Sequence, residues 1–149
     1  MPMSKLLPAL SAVLISVCCA AQDAGNQVPF AKVMNSAFAQ DYQNSTVSTT
    51  AEFLTATPQE RNWGSIIPKL TAGMVPFCVL APGQAEPIGP GRYPSYVFLP
   101  KSASDLVFEL QRGDLVLLTG HTVVDRMPTY HLIAFVADTV SKASPEPSK

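Results

Sequence analysis

Cysteine is scarce in this chain and badly placed for staples. There are three among 149 residues, and two of them, Cys18 and Cys19, fall in an N-terminal stretch that reads as a removable leader. Cleavage after Ala20 or Ala21 leaves Cys78 alone, which excludes an internal disulfide framework. Cys78 lies in the apolar run Pro76-Phe77-Cys78-Val79-Leu80 and reads as a buried thiol. An excess of charge of one sign is missing as well. The ten basic residues become nine once Lys5 leaves with the leader, against eleven acidic ones. That balance offers no basic face, so no nucleic-acid partner is expected, and nothing favours an anionic membrane surface. The longest apolar stretch, residues 6–17, falls short of the ~20 needed to span a bilayer. Paired-cysteine and clustered-histidine spacings are absent, so neither a metal nor another cofactor is expected. A Gly-x-Ser-x-Gly elbow is also lacking, and the chain does not read as an enzyme.

What is present begins with the leader. Lys5 precedes the apolar core, small residues follow at Cys18, Cys19, Ala20 and Ala21, and polarity starts at Gln22 and Asp23. This order is a secretion signal. Export to a bacterial periplasm is the expected localisation, and a single surviving cysteine suits that compartment. Acylation of Cys18 or Cys19 would instead tether the chain to a membrane, although Val17 and Cys18 are poor residues to precede a lipidated cysteine. Removing 21 of the 149 residues leaves 128, enough for one domain with its own core. The expected division is a leader (1–21), a helical region (22–43), a β domain (44–140) and a polar tail (141–149).

Along the chain, Phe30, Val33, Met34, Ala37 and Phe38 step by three and four, which predicts a helix over residues 28–42 with Pro29 in its first turn. Val47, Thr49, Ala51 and Phe53 share one face of a strand over 46–55. Thr57-Pro58-Gln59-Glu60 has the form of a capping box opening a short helix before Gly64 and Pro68. A second strand covers 74–80, with Pro76 near an edge. Residues 81–95, rich in proline and glycine, form a loop. Residues 96–99 form a strand closed by Pro100, and 102–110 a short helix with Leu106 and Leu110 on one side. Arg112-Gly113-Asp114 turns the chain into a strand over 115–124, apolar at both parities and expected to be buried on both faces for part of its length. A turn over 125–129 leads to the last strand, 131–140.

This order of elements, with the stretch Arg112-Gly113-Asp114, Leu115-Val116-Leu117-Leu118 and Thr119-Gly120, resembles the OB-fold from about Asp41 to Val140. The resemblance implies an all-β domain, a five-stranded Greek-key barrel with one helix before the first strand and another between the third and fourth. A β-sandwich or an SH3-like barrel would show similar alternation. The resemblance also implies a ligand surface on strands two and three. There Trp63, Arg92, Tyr93, Tyr96 and Phe98 are the expected exposed candidates, with the aromatics giving contact area and Arg92 a directional donor. The expected function is a non-catalytic binding module of the bacterial envelope that docks a partner protein or small ligand through that face and the 81–95 loop. One alternative is a lipid-tethered structural subunit of a secretion or conjugation machine. Another is a small periplasmic hydrolase built on His121 or His131. An in-register hairpin would bring these two close, and with Asp125 or Asp138 they are the candidate metal set that no ligand spacing supports.

Overall fold

The computed structural model describes residues 27–144. The leader, Cys18 and Cys19, residues 22–26 and the last five residues of the tail lie outside the described residues. Five strands carry the structure: β1 (Val47–Thr55), β2 (Met74–Leu80), β3 (Ser95–Pro100), β4 (Leu115–Arg126) and β5 (His131–Lys142). They close into a barrel in the order β1-β2-β3-β5-β4. Neighbours are antiparallel except β3 and β5, which run parallel through Val97↔Phe135 and Phe98↔Val136. This is the OB-fold arrangement, and closure removes the free edges that an open sheet would have to protect. Pro76 is tolerated because the β1–β2 ladder, which pairs Cys78, Val79 and Leu80, does not reach it.

Alternation sorts the strand residues onto two faces. Val47, Thr49, Ala51 and Phe53 of β1 are buried as expected. Phe77 and Val79 of β2, Val97 and Leu99 of β3, and Phe135 of β5 join them in the barrel interior. The opposite parity, including Cys78, Leu80, Tyr96, Phe98 and Val136, forms a second apolar cluster on the outside. β4 and β5 make a long hairpin, from Arg126↔His131 to Val116↔Lys142, with an irregularity between Thr119 and Gly120. Gly120 is required there: a Cβ would overlap the Val136 carbonyl oxygen of β5. Asp125 and Arg126 belong to β4 and not to the turn, and β5 runs two residues past the expected end.

The predicted helices are shorter than their periodicity. Only α1 (Phe30–Val33) and a 3-10 turn at Ala39–Tyr42 form before β1. Asn35 breaks the helix: its side-chain oxygen accepts the Ala37 N–H at 2.8 Å, and its carbonyl takes those of Phe38 and Ala39. Phe30 and Val33 enter the interior, while Ala37 and Phe38 face water. No helix starts at Thr57; α2 (Ile66–Leu70) comes later. Between β3 and β4 stand two 3-10 turns, Lys101–Ala103 and Asp105–Phe108. The three-residue repeat of a 3-10 turn aligns Ser104 and Val107 inward, so Val107 is the fully buried residue and Leu106 and Leu110 only partly so.

Candidate ligand groove and aromatic cage

The segment from Ala56 to α2 crosses the outer face of β2 and β3 as an irregular strap. Its anchor is Trp63, whose ring stands edge-on to Tyr96 at 4.8 Å and to Phe98 at 5.7 Å, the geometry that aromatic quadrupoles favour. The Tyr96 hydroxyl donates to the Gln59 carbonyl at 2.7 Å. That bond and the partial burial of Trp63 keep residues 57–60 irregular where the capping-box pattern predicted a helix. The far end of the strap is tied by Asp125, whose Oδ2 accepts the N–H groups of Ser65 at 3.1 Å and Ile66 at 2.9 Å. A carboxylate from β4 thus caps α2 in place of a local residue. Gly64 turns with φ +72°, and a Cβ there would meet Asp125 Oδ2 at 2.8 Å.

The strap corrects the expected site. Tyr96 and Phe98, predicted as exposed ligand contacts, are 2% and 7% exposed, because the chain's own Trp63 covers them. Tyr93 stays accessible, and Arg92 is exposed. The arginine that joins the aromatics is Arg61. Its guanidinium carbon lies 4.8 Å from the ring of Trp63, 4.5 Å from that of Tyr93 and 5.9 Å from that of Tyr96. Among the described residues it has no carboxylate partner; the two ion pairs found are Arg112–Glu86 and Lys142–Asp114. Burial pulls the Arg61 pKa below the usual value. Nothing local marks this residue in the sequence, since the strap has no periodicity and only its path brings Arg61 to the rings.

Beside the cage opens a groove of about 430 Å³ between Thr55–Gln59 and the β2–β3 loop. Leu54, Cys78 and Tyr96 contribute to its lining from the strands. Ile88, Arg92 and Tyr93 line it from the loop, with Ile88 86% exposed. Glu86 also lines it and is held by Arg112. The Cys78 thiol is pushed up to about 12 by burial, so it stays protonated and is a poor nucleophile. Burial, followed by the neighbouring Cys78, raises the Tyr96 pKa as well. These groups can supply apolar contact and a fixed cation. A larger hollow of about 800 Å³ lies between β1, β4 and the end of β5, but it carries no aromatic side chain, and its Lys142 is engaged by Asp114 at 3.2 Å.

The two histidines do not meet. His131 pairs across the hairpin with Arg126, and His121 with Val136, five positions further along β4. Asp125, one of the acids proposed beside them, is buried and committed to α2. Among the described residues no group of three or more His, Cys, Asp or Glu side chains is placed to hold a metal ion.

No protein-family model and no curated protein matches the chain. Solved structures with a similar barrel include an OBody bound to hen egg-white lysozyme, 11% identical over 70% of this chain and all of that one, TM-score 0.42. They also include the mitochondrial single-stranded DNA-binding protein Rim1 of S. cerevisiae, 8% identical over 70% and 98%, TM-score 0.40. A third is a small single-stranded DNA-binding protein from Streptomyces coelicolor, 15% identical over 66% and 94%, TM-score 0.37. Scores this low carry no ligand over to this chain. They do correct the expectation that a near-neutral charge excludes nucleic acid, because single-stranded DNA-binding proteins are among the structures similar to this barrel.

Proposed function

We infer that this chain is a non-catalytic binding module whose ligand enters the groove between the strap and the β2–β3 loop. The observation that carries the reading is the juxtaposition of an open groove of mixed polar and apolar lining, the accessible Tyr93 and a ring-clamped arginine, with an inert thiol in its lining. Large aromatic and arginine side chains in a partly desolvated site are the usual anchors of recognition. The leader supports a working place outside the cytoplasm, in a bacterial envelope, where the ligand is a protein or a peptide of one.

Cross-linked capture tests this reading. The full chain, tagged at its C-terminus, is expressed in its own cell and its cross-linked partners are identified by mass spectrometry. A stoichiometric partner is expected, and Tyr93→Ala combined with Ile88→Asp should reduce its recovery about tenfold or more at an unchanged melting temperature. Recovery that is indifferent to both substitutions would move the site elsewhere. The N-terminal mass of the bait reads leader removal and any acylation of Cys18 or Cys19.

A further inference from the structure

Arg61 is a charge without a counter-charge. Its guanidinium is half-buried among three rings, yet among the described residues it meets no carboxylate. The acids close to it in sequence or space do not supply one. Glu60 is exposed and forms no ion pair, and Glu86 is committed to Arg112. The rings attract the cation by its charge, but their faces do not satisfy its five N–H donors. None of its nitrogens is buried without a partner, so each keeps contact with water, and a charged acceptor can replace that water in a charge-assisted bond. Stacking also fixes the plane of the guanidinium before any ligand arrives, so little side-chain freedom is lost on binding.

Resting on the binding reading above, we propose that the ligand is an extended peptide segment bearing an aspartate or glutamate, whose carboxylate is received by Arg61. The planar fork of an arginine matches the two oxygens of a carboxylate. A phosphate group is generally met by a cluster of arginines or by backbone N–H groups, whereas here Arg92 is the one arginine in the groove lining, with Arg61 beside it against the Tyr93 ring. The groove suits a chain more than a compact molecule. It is bounded by two irregular segments and opens to the surface beside Pro58, Pro87, Pro94 and Ile88, which offer apolar contacts to the residues flanking the acid. Arg92 can add a second, solvent-exposed attraction for the same charge.

The test is an array of octapeptides in which every aspartate- or glutamate-containing member is paired with its asparagine or glutamine counterpart, probed with the full chain. Hits are then titrated in solution by the fluorescence of Trp63, the single tryptophan, whose ring lies against Arg61. Acidic members should bind at least about tenfold more tightly than their amide partners, the size of one charge-assisted hydrogen-bond pair. Arg61→Gln should abolish that preference, and Arg61→Lys should restore only part of it. If Arg61→Gln unfolds, the acid–amide preference of the wild-type chain and of Arg61→Lys still decides. Equal binding of acid and amide peptides would overturn the role of Arg61 while leaving the groove a binding site. No binding to any peptide would overturn the proposal, and so would Arg61-dependent binding confined to inorganic phosphate or to a deoxythymidine oligonucleotide. In those cases the capture experiment still judges the binding reading on its own.

Discussion

The barrel interior and the cluster under the strap are built from the same strands and differ in what holds them. The interior is packed by alternate residues of all five strands, with Phe53 and Phe77 at 6.2 Å and Phe30 against Phe135 at 6.4 Å. Its exceptional polar atom is Thr49 Oγ1, buried without a partner among the described residues. The outer cluster is closed on one side by irregular chain and depends on two polar latches, Tyr96 to Gln59 and Asp125 to Ser65 and Ile66. Apolar burial is non-directional and tolerates local adjustment. A latch works only at one position. The interior should therefore open only with the whole domain, and the strap by itself.

The comparison is broken most severely from the inside. Phe77→Ala removes a fully buried ring from the interior and should cost about 3–5 kcal/mol of stability in urea unfolding, with the strap lost only as the domain unfolds. Asp125→Ala should cost about 2 kcal/mol by leaving two N–H groups at the start of α2 without their acceptor. Its signature is a change in Trp63 fluorescence in the native state, before global unfolding. Tyr96→Phe keeps the ring and loses the latch to Gln59. It should cost about 1 kcal/mol and speed hydrogen exchange in residues 56–63 while leaving the interior strands protected; equal acceleration everywhere would show that strap and barrel are one cooperative unit. Thr49→Val should run the other way, raising stability by about 1 kcal/mol by replacing an unsatisfied hydroxyl with a methyl group.

The outer cluster also sets a pH dependence that the interior lacks. The Cys78 thiol is raised from its ordinary 9.0 to about 12, so the fold favours the neutral form. That contribution is complete below pH 9.0 and is lost as the pH climbs toward about 12, because the unfolded chain ionises first. Tyr96, raised in the same direction, adds to the loss. Between pH 8 and 11 the wild-type chain should lose more stability than Cys78→Ala. Parallel losses would show that the thiol is less buried than its place under Tyr96 requires.

Much of the barrel was legible because strands announce themselves by period two. The alternation of Val47, Thr49, Ala51 and Phe53 marked β1, and the residues of β2 were identified to the end. The expected double-sided burial of β4 holds only at Thr122–Asp125; in the apolar stretch Leu115–Leu118 that prompted it, Leu115 is exposed and Leu117 half-buried. The helices were less legible because their signals are short and local. Asn35 ended α1 with its own side chain, and the capping box at Thr57 lost to the packing of Trp63 on Tyr96 and Phe98. The site was half legible. Trp63 and Tyr93 were visible as aromatics near the expected face. Arg92, named from the sequence, lines the groove; Arg61 was not legible, since only the path of the strap brings it to the rings.

Composition and alternation alone thus determined an all-β domain of five strands, its apolar strand positions, a barrel with Cys78 as its single cysteine, and a long loop between β2 and β3. Those properties follow from each residue's own preference for water or for its absence, which a linear pattern records. Tertiary structure decided the rest: that the β1–β2 connection folds back over the outer face, that Asp125 caps a helix 59 residues earlier in the chain, and that Arg61 rests among three rings beside a groove. Each depends on directional contacts between residues far apart in sequence, and the direction exists only once the barrel has closed and placed both partners.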